Sequence, residues 1–207
     1  MDFGDPLNFK EISMITRILL TTAVIALLTS TQGCAVKPQY LRIDPVVKVA
    51  QAQIGAGKSV GLRVSDPRPD KKLGEVGDPD QKMVDVRVEE DPSPAIYKQI
   101  EQALIRLGFS VQPYSETMDR TLDIKIYGLE LKSVKKPLTF DTEVRATVAA
   151  HAVNSTEYYD RQFSVRTRKV GAAPPNQKDS TRLVNTAVSQ ALEDLFADEQ
   201  LLAMLAR

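Results

Sequence analysis

The chain has 207 residues, of which 43% are hydrophobic and 26% charged, and its 27 basic side chains balance its 27 acidic ones. This composition is typical of one globular domain, and it lacks the basic excess that marks most nucleic-acid-binding proteins. The single cysteine excludes an internal disulfide and a cysteine-based zinc site.

Residues 14–35 have the layout of a secretory signal peptide. Arg17 supplies a positive charge, residues 18–28 form an uncharged apolar run, and small and polar residues follow. The run is too short for a membrane-spanning helix, which needs about 20 residues. Residues 1–13 are acidic where a signal peptide should be basic. We therefore expect translation to start at Met14; a natural N-terminal extension is the alternative.

The only cysteine, Cys34, lies where such a signal would be cleaved. The stretch STQGC, residues 30–34, resembles the lipobox of bacterial lipoproteins, although Thr31 stands where leucine is usual. The resemblance implies cleavage between Gly33 and Cys34 and attachment of diacylglycerol to the cysteine, a membrane anchor that becomes stable with two or three acyl chains. Ala35, in place of a retention aspartate, points to the outer membrane. The alternative is a buried, inert cysteine.

The expected mature chain begins with a lipidated tether at residues 34–41 and continues as a single periplasm-facing domain at residues 42–207. A short strand is predicted within residues 42–50, another at residues 59–65 and a third at residues 83–88, because apolar and polar side chains alternate there. Residues 66–82 are dense in proline, glycine and charge, which predicts a surface loop.

The triplet Gly57-Lys58-Ser59 is the ending of a phosphate-binding loop. That loop also needs a glycine at position 52, which is Ala52 here, and a helix after the serine. Strand periodicity follows instead. We therefore predict no nucleotide binding.

A helix is predicted from Ser93, which is placed to cap it, with Pro94 in its first turn. Gly108 is expected to end the helix in a left-handed conformation, with Phe109 closing over the end before a short strand. The apolar side chains at helical spacing are Ile96, Ile100, Ala103, Leu104 and Leu107.

Three long strands with one buried face are predicted next, at residues 121–134, 140–153 and 158–170. The alternation slips by one residue near Tyr127, which predicts a β-bulge at Gly128. Residues 154–157 form the expected hairpin turn. The last segment is predicted to be a helix capped by Asp179 or Ser180, with a further turn at residues 198–205. Its apolar stripe contains Val184, Ala187, Val188, Ala191, Leu192 and Leu195.

These elements predict an α+β fold: a two-layer α/β sandwich with a mainly antiparallel sheet and two helices on one face. The order of a lipobox cysteine, RIDPVV, VGLRVSDPR, ALIRLGFSV and a C-terminal helix in NTAVSQALEDLFADEQLLAML resembles the YajG family of bacterial outer-membrane lipoproteins. The helix-glycine-strand unit also looks like other small envelope lipoproteins, including auxiliary components of lipid transport. The resemblance implies a periplasm-facing domain without an established enzymatic role and with no catalytic residues to transfer.

The sequence predicts no catalytic residue, cofactor or metal site. His151 is the only histidine, and a catalytic triad also needs a nucleophile and an orienting acid. Asp123, Asp141 and Glu143 share the wet side of the strands, where cross-strand pairing with basic side chains is the simpler interpretation. We therefore prefer a non-enzymatic lipoprotein that binds an envelope protein or lipid. The alternatives are an auxiliary component of lipid transport and a lipid-anchored hydrolase.

The stretch DPRPD, residues 66–70, is a candidate partner loop. Its two prolines stiffen the backbone, and Arg68 is expected to project from it between Asp66 and Asp70. A rigid loop loses little entropy on binding. The alternative is an ordinary solvated loop.

Overall fold

The computed structural model describes residues 37–155 and 157–207. The predicted signal peptide, the Gly33–Cys34 cleavage site and the lipidation site lie outside the described residues. The described part contains eight strands and three helices: β1 Gln39–Leu41, β2 Ser59–Ser65, β3 Lys72–Asp78, β4 Lys82–Val88, α1 Ser93–Arg106, β5 Ser110–Pro113, β6 Arg120–Lys135, β7 Phe140–Asn154, β8 Glu157–Gly171, α2 Gln177–Phe196 and α3 Glu199–Ala206.

All of these strands belong to one mixed sheet with β6 at its centre. On one side β6 pairs antiparallel with β7, which pairs with β8. On its other side β6 pairs in parallel with two strands, first with β2 and further along with β3. Strand β5 lies beyond β2, and strands β4 and β1 lie beyond β3. The expectation of a mainly antiparallel sandwich is therefore wrong in part, because β1–β4, β2–β5, β2–β6 and β3–β6 are parallel pairs in a curled sheet.

Strand β3 corrects the prediction of a loop over residues 66–82. It pairs antiparallel with β4 and touches β6 at Leu131. Gly74 has a φ of +154°, and a Cβ there would lie 1.9 Å from the carbonyl oxygen of Leu131. The close approach of two backbones therefore requires the glycine that had indicated a loop.

The predicted β-bulge in β6 is confirmed. Ile126 lies opposite Val148 and Gly128 lies opposite Thr147, so Tyr127 is the extra residue and points to solvent. The bulge restores the phase of the strand. The side chains buried on either side of it are Leu122, Ile124, Ile126, Leu129 and Leu131.

Helix α1 ends as predicted but begins differently. Gly108 has a φ of +86°, and the N–H of the buried Phe109 donates to the carbonyl of Leu104, which is the hydrogen bond of a Schellman motif. At the other end Ser93 does not cap the helix. Its backbone N–H and hydroxyl both donate to the Asp91 carboxylate.

Helix α2 starts earlier than predicted, because Asn176 caps it by accepting from the N–H of Asp179 at 2.9 Å. Neither Asp179 nor Ser180 is the cap. The predicted further turn is a third helix, α3, whose cap Asp198 accepts from the N–H of Leu201. Asp198 also pairs with Arg161 of β8, which joins the cap to the sheet.

The segment of residues 42–50 is extended but joins no strand, contrary to the prediction. Its Ile43 and Val47 are buried, while N–H groups of alternate residues from position 44 to position 48 face helix α2. Those of Asp44, Val46 and Lys48 donate to Asn185, Ser189 and Glu193, which are spaced by four residues on the helix. Helix side chains thus replace a strand partner. The expected tether also includes Gln39–Leu41, which form strand β1 beside β4.

The helices lie on one side of the sheet and supply one half of the core. Helix α1 packs on β2 and β5, and helix α2 packs on β7 and β8. Leu104 of α1 and Leu192 of α2 are both completely buried. The predicted apolar stripes therefore face the sheet.

We expect Leu104→Ala and Leu192→Ala each to lower the free energy of unfolding by about 2–5 kcal/mol, because each change removes buried methyl groups and leaves a cavity. Urea denaturation followed by circular dichroism measures the loss. Ile105→Ala is the matched control, since Ile105 is exposed on helix α1. Equal stabilities for all three variants would contradict the packing of these helices on the sheet.

Candidate functional site

The side of strands β6–β8 that faces away from the helices is the open face of the sheet. Register places Asp123, His151 and Asp160 side by side across the three strands. The next row on the same face contains Lys125, Ala149 and Gln162. Strand β2 extends the first row, because Arg63 lies beside Asp123.

A groove of about 660 Å³ lies over these rows. We call it the Asp123 groove. Its lining combines charged side chains of both signs with two tyrosines and a small floor: Arg63, Tyr114, Asp123, Lys125, Tyr127, Ala149, Ala150, His151, Asp160, Arg161 and Gln162.

Two contacts fix the position of Arg63 in the groove. Its Nη2 donates to Asp123 Oδ2 at 2.7 Å, and its guanidinium carbon lies 4.0 Å from the centroid of the Tyr114 ring. The hydrogen bond to Asp123 raises the pKa of Arg63. The arrangement holds a permanent positive charge in place while about half of the side chain stays exposed.

Asp123 supplies the buried negative charge, with a side chain only 3% exposed. Its Oδ2 accepts from Arg63, and the Lys125 ammonium lies 3.8 Å from the same oxygen. Its Oδ1 is buried and has no hydrogen-bond partner in the described protein. A buried carboxylate that is only half satisfied depends on its cations. Two cations around one carboxylate leave N–H donors that Asp123 does not use.

His151 lies at the other side of the groove, where its Nδ1 is 2.7 Å from Asp160 Oδ1. Both side chains are about half exposed, as expected for residues on the wet side of a strand. The lining contains no serine, threonine or cysteine that this pair would activate. The geometry supports ion pairing and hydrogen bonding.

The other predicted carboxylates form cross-strand charge pairs, as the simpler interpretation expected. Asp141 accepts from Arg168, and Glu143 lies 3.9 Å from Arg166. Asp123 also pairs across strands, but its partner Arg63 lies on β2, 60 positions away in the chain. A contact over this separation leaves no local pattern in the sequence, and the groove was therefore not predicted.

The candidate partner loop has a different structure from the one expected. Arg68 does not project: it is 10% exposed, and its Nε and Nη2 donate to the two oxygens of Asp66 at 2.7 and 2.8 Å. Lys71 donates to the same carboxylate, which is 1% exposed. Asp70 remains exposed and accepts from Arg87. This cluster ties the loop to itself, and the role of the loop in binding a partner stays a prediction.

Lys58 of the Gly-Lys-Ser triplet contacts the last helix. Its Nζ donates to the carbonyls of Ala206 and, at 3.0 Å, of Arg207. The residues after it form strand β2, as the alternation predicted. Lys58 therefore neutralises the carbonyl end of α3.

Two absences hold for residues 37–155 and 157–207, the described part of the chain. No group of three His, Cys, Asp or Glu side chains in these ranges could hold a metal ion. Within the same ranges, none of the helices combines the length and the apolar character needed to cross a bilayer.

The Asp66 cluster gives a pH-dependent prediction. Burial alone would raise the pKa of Asp66, but the hydrogen bonds from Arg68 and Lys71 outweigh it and hold the pKa below its usual value. The carboxylate therefore stabilises the fold at neutral pH, and this contribution is lost as the pH falls below about 4, through the lowered folded-state pKa.

We expect Asp66→Asn to cost about 3 kcal/mol at neutral pH, because it leaves Arg68 buried without its counter-charge. The difference from the wild type should shrink as the pH falls from about 4 to about 2 in urea denaturation. Asp70→Asn, at an exposed position of the same loop, should have a much smaller effect. A difference for Asp66→Asn that stays constant over this pH range would contradict the role of its charge.

Comparisons with known proteins concern family membership and fold. Residues 45–206 match a family model described as uncharacterized lipoprotein. A comparison with curated proteins gives no match. Among solved structures, a DUF330-family protein from Xanthomonas campestris is 13% identical, with 78% of this chain and 92% of that chain covered and a TM-score of 0.49. Lipoprotein GNA1162 from Neisseria meningitidis is 12% identical, with 68% and 99% covered and a TM-score of 0.34.

Both of these structures match with TM-scores below 0.5. The family model, by contrast, spans most of the chain and nearly all of the described domain. This protein therefore belongs to a family of uncharacterized lipoproteins.

Proposed function

We propose that this protein is a non-enzymatic lipoprotein of the bacterial outer membrane that faces the periplasm and binds a protein partner through the Asp123 groove. Lipidation of Cys34 would supply the anchor. The groove would receive an acidic side chain of the partner, placed on Arg63 and Lys125.

The fixed position of Arg63 carries the proposal. Tyr114 and Asp123 hold the guanidinium, so little conformational entropy would be lost when it binds a carboxylate. One of its hydrogen bonds goes to Asp123, and the fork of an arginine offers further donors in a geometry that suits a carboxylate. Lys125 adds a second exposed cation beside it.

The lining of the groove favours a protein partner over the alternatives. A site for acyl chains, as expected in lipid transport, is lined mostly by apolar side chains, whereas charged residues surround this groove. A hydrolase needs a nucleophile near its base, and the lining offers His151 and Asp160 without a hydroxyl or thiol. Exposed Tyr127 adds the kind of aromatic contact that is enriched at protein interfaces.

The anchor is tested by Cys34→Ala. We expect the variant to remain uncleaved or to move to the soluble fraction, because it lacks the atom that would carry the lipid. Cell fractionation with immunoblotting measures both outcomes. Ala35→Asp is the matched variant: it keeps the cysteine and should shift the mature protein toward the inner membrane. Cleaved, membrane-bound Cys34→Ala protein would contradict the assignment.

The docking surface is tested with a photo-crosslinking amino acid, p-benzoylphenylalanine, in place of Tyr127. This residue is exposed in the groove, and the aromatic replacement resembles it. We expect a specific protein adduct in intact cells. Tyr40, exposed on strand β1 outside the groove, is the matched control position and should not give that adduct.

A charge reversal identifies the chemistry of the contact. Lys125→Glu should reduce the yield of the Tyr127 adduct at least tenfold, because it places a negative charge where the partner's carboxylate would bind. Lys132→Glu, an exposed lysine on the same strand outside the groove, should leave the yield within about twofold. The absence of a protein adduct from Tyr127, or equal effects of the two reversals, would overturn the proposal.

A further inference from the structure

Strand β8 presents a long unpaired edge. Its 15 residues pair with β7 over their whole length, from Glu157 opposite Asn154 to Gly171 opposite Phe140. No strand in the described part of the chain pairs with its other side. A strand of this length extends about 50 Å. The outer strands at the opposite end of the sheet, β1 and β5, have only 3 and 4 residues.

Such an edge carries a row of free N–H and C=O groups that favours pairing with another strand. We propose that β8 pairs with β8 of a second copy of this chain, antiparallel and centred on Ser164, so that the sheets of the two copies join into one. The two-fold axis would pass beside Ser164, and each contact would therefore occur twice. This inference does not depend on the partner proposed for the Asp123 groove.

The side chains on the open face of β8 are complementary to themselves in this register. Asp160 lies opposite Arg168 of the second copy, and their side chains are 61% and 64% exposed in the single chain. Tyr158 lies opposite Val170, two apolar side chains that are otherwise 77% and 54% exposed. Opposite charges and aromatic–β-branched pairs are the cross-strand combinations that stabilise sheets.

The helix side of the strand is compatible with the same register. Phe163 lies opposite Val165 of the second copy, which continues the apolar layer under the helices. Arg161 lies opposite Thr167, so no cation faces a cation there.

Neighbouring registers fit less well. In the nearest antiparallel registers that keep the same faces together, the residue on the two-fold axis is Val165 or Phe163 instead of Ser164. Centring on Val165 places Arg161 opposite Lys169, a like-charge pair that destabilises a sheet. Centring on Phe163 leaves Val170 outside the ladder and places Tyr158 opposite Arg168. Only the register centred on Ser164 also pairs Glu157–Gly171 from end to end.

The register is tested with single cysteines in the full chain carrying Cys34→Ser, where the introduced thiol is the only one. Ser164→Cys should form a disulfide-linked dimer in high yield under mild oxidation, because opposed residues in an antiparallel pair have Cα atoms about 4.5–5.5 Å apart. Gln162→Cys is the matched control on the same face. Its thiol would lie four residues from its counterpart, about 13 Å away, and should not crosslink. Equal crosslinking of the two variants would overturn the register.

Charge exchange tests the interface without a crosslink. Sedimentation equilibrium should show a wild-type dimer at micromolar concentration, and Asp160→Arg should weaken it at least tenfold because Arg168 of the second copy then faces an arginine. Adding Arg168→Asp to that variant should restore the dimer, since the pair is reversed. Circular dichroism of each variant verifies folding. A monomeric wild type, or a dimer that Asp160→Arg leaves unchanged, would refute the proposal.

Discussion

Strand β6 must keep one side toward the helices over 16 residues while its neighbours on one edge change from β2 to β3. A regular strand with this sequence would turn Leu129 and Leu131 to solvent. The extra residue, Tyr127, resets the alternation between the β2-paired and β3-paired halves. The same bulge directs the Tyr127 ring outward, where it lines the Asp123 groove. One β-bulge therefore serves both the core and the groove.

The local parts of this fold follow from local patterns. The alternation of β6, β7 and β8, the glycine that ends α1 and the bulge near Tyr127 each depend on a few neighbouring residues, and the sequence predicted them. The parallel pairs did not follow, because β2 meets β6 across about 60 positions of chain and no turn signals the contact. Strand β3 was missed for the opposite reason: Gly74 allows close backbone contact, yet glycine is also the strongest indication of a loop.

Charged residues account for the other differences between the predicted and the observed candidate sites. The sequence places Arg68 and Asp123 on the surface, since isolated charges are almost never fully buried. Both are nevertheless mostly buried, because each has an opposite charge within 2.7 Å. Arg68 pairs with Asp66, two residues away. The prolines around them predict a turn, but they do not predict that the pair is buried. Asp123 finds its partner on another strand. Burial of such a pair requires the fold to place the two opposite charges in contact, and amino-acid composition does not predict that contact.

The first strand contacts both layers of the domain. The described chain enters the sheet at β1, which forms the edge beyond β4 and β3, and then lies along helix α2. The Asp123 groove and the β8 edge lie on the other side of β3, over β2, β6, β7 and β8. Because the sheet is curled, β1 nevertheless lies near the segment that follows β8: Gln39 donates to the carbonyl of Pro175 and accepts from the hydroxyl of Ser180. Because the N–H groups of Asp44, Val46 and Lys48 donate to Asn185, Ser189 and Glu193, the start of the described chain is held by the helix layer as well as by the sheet.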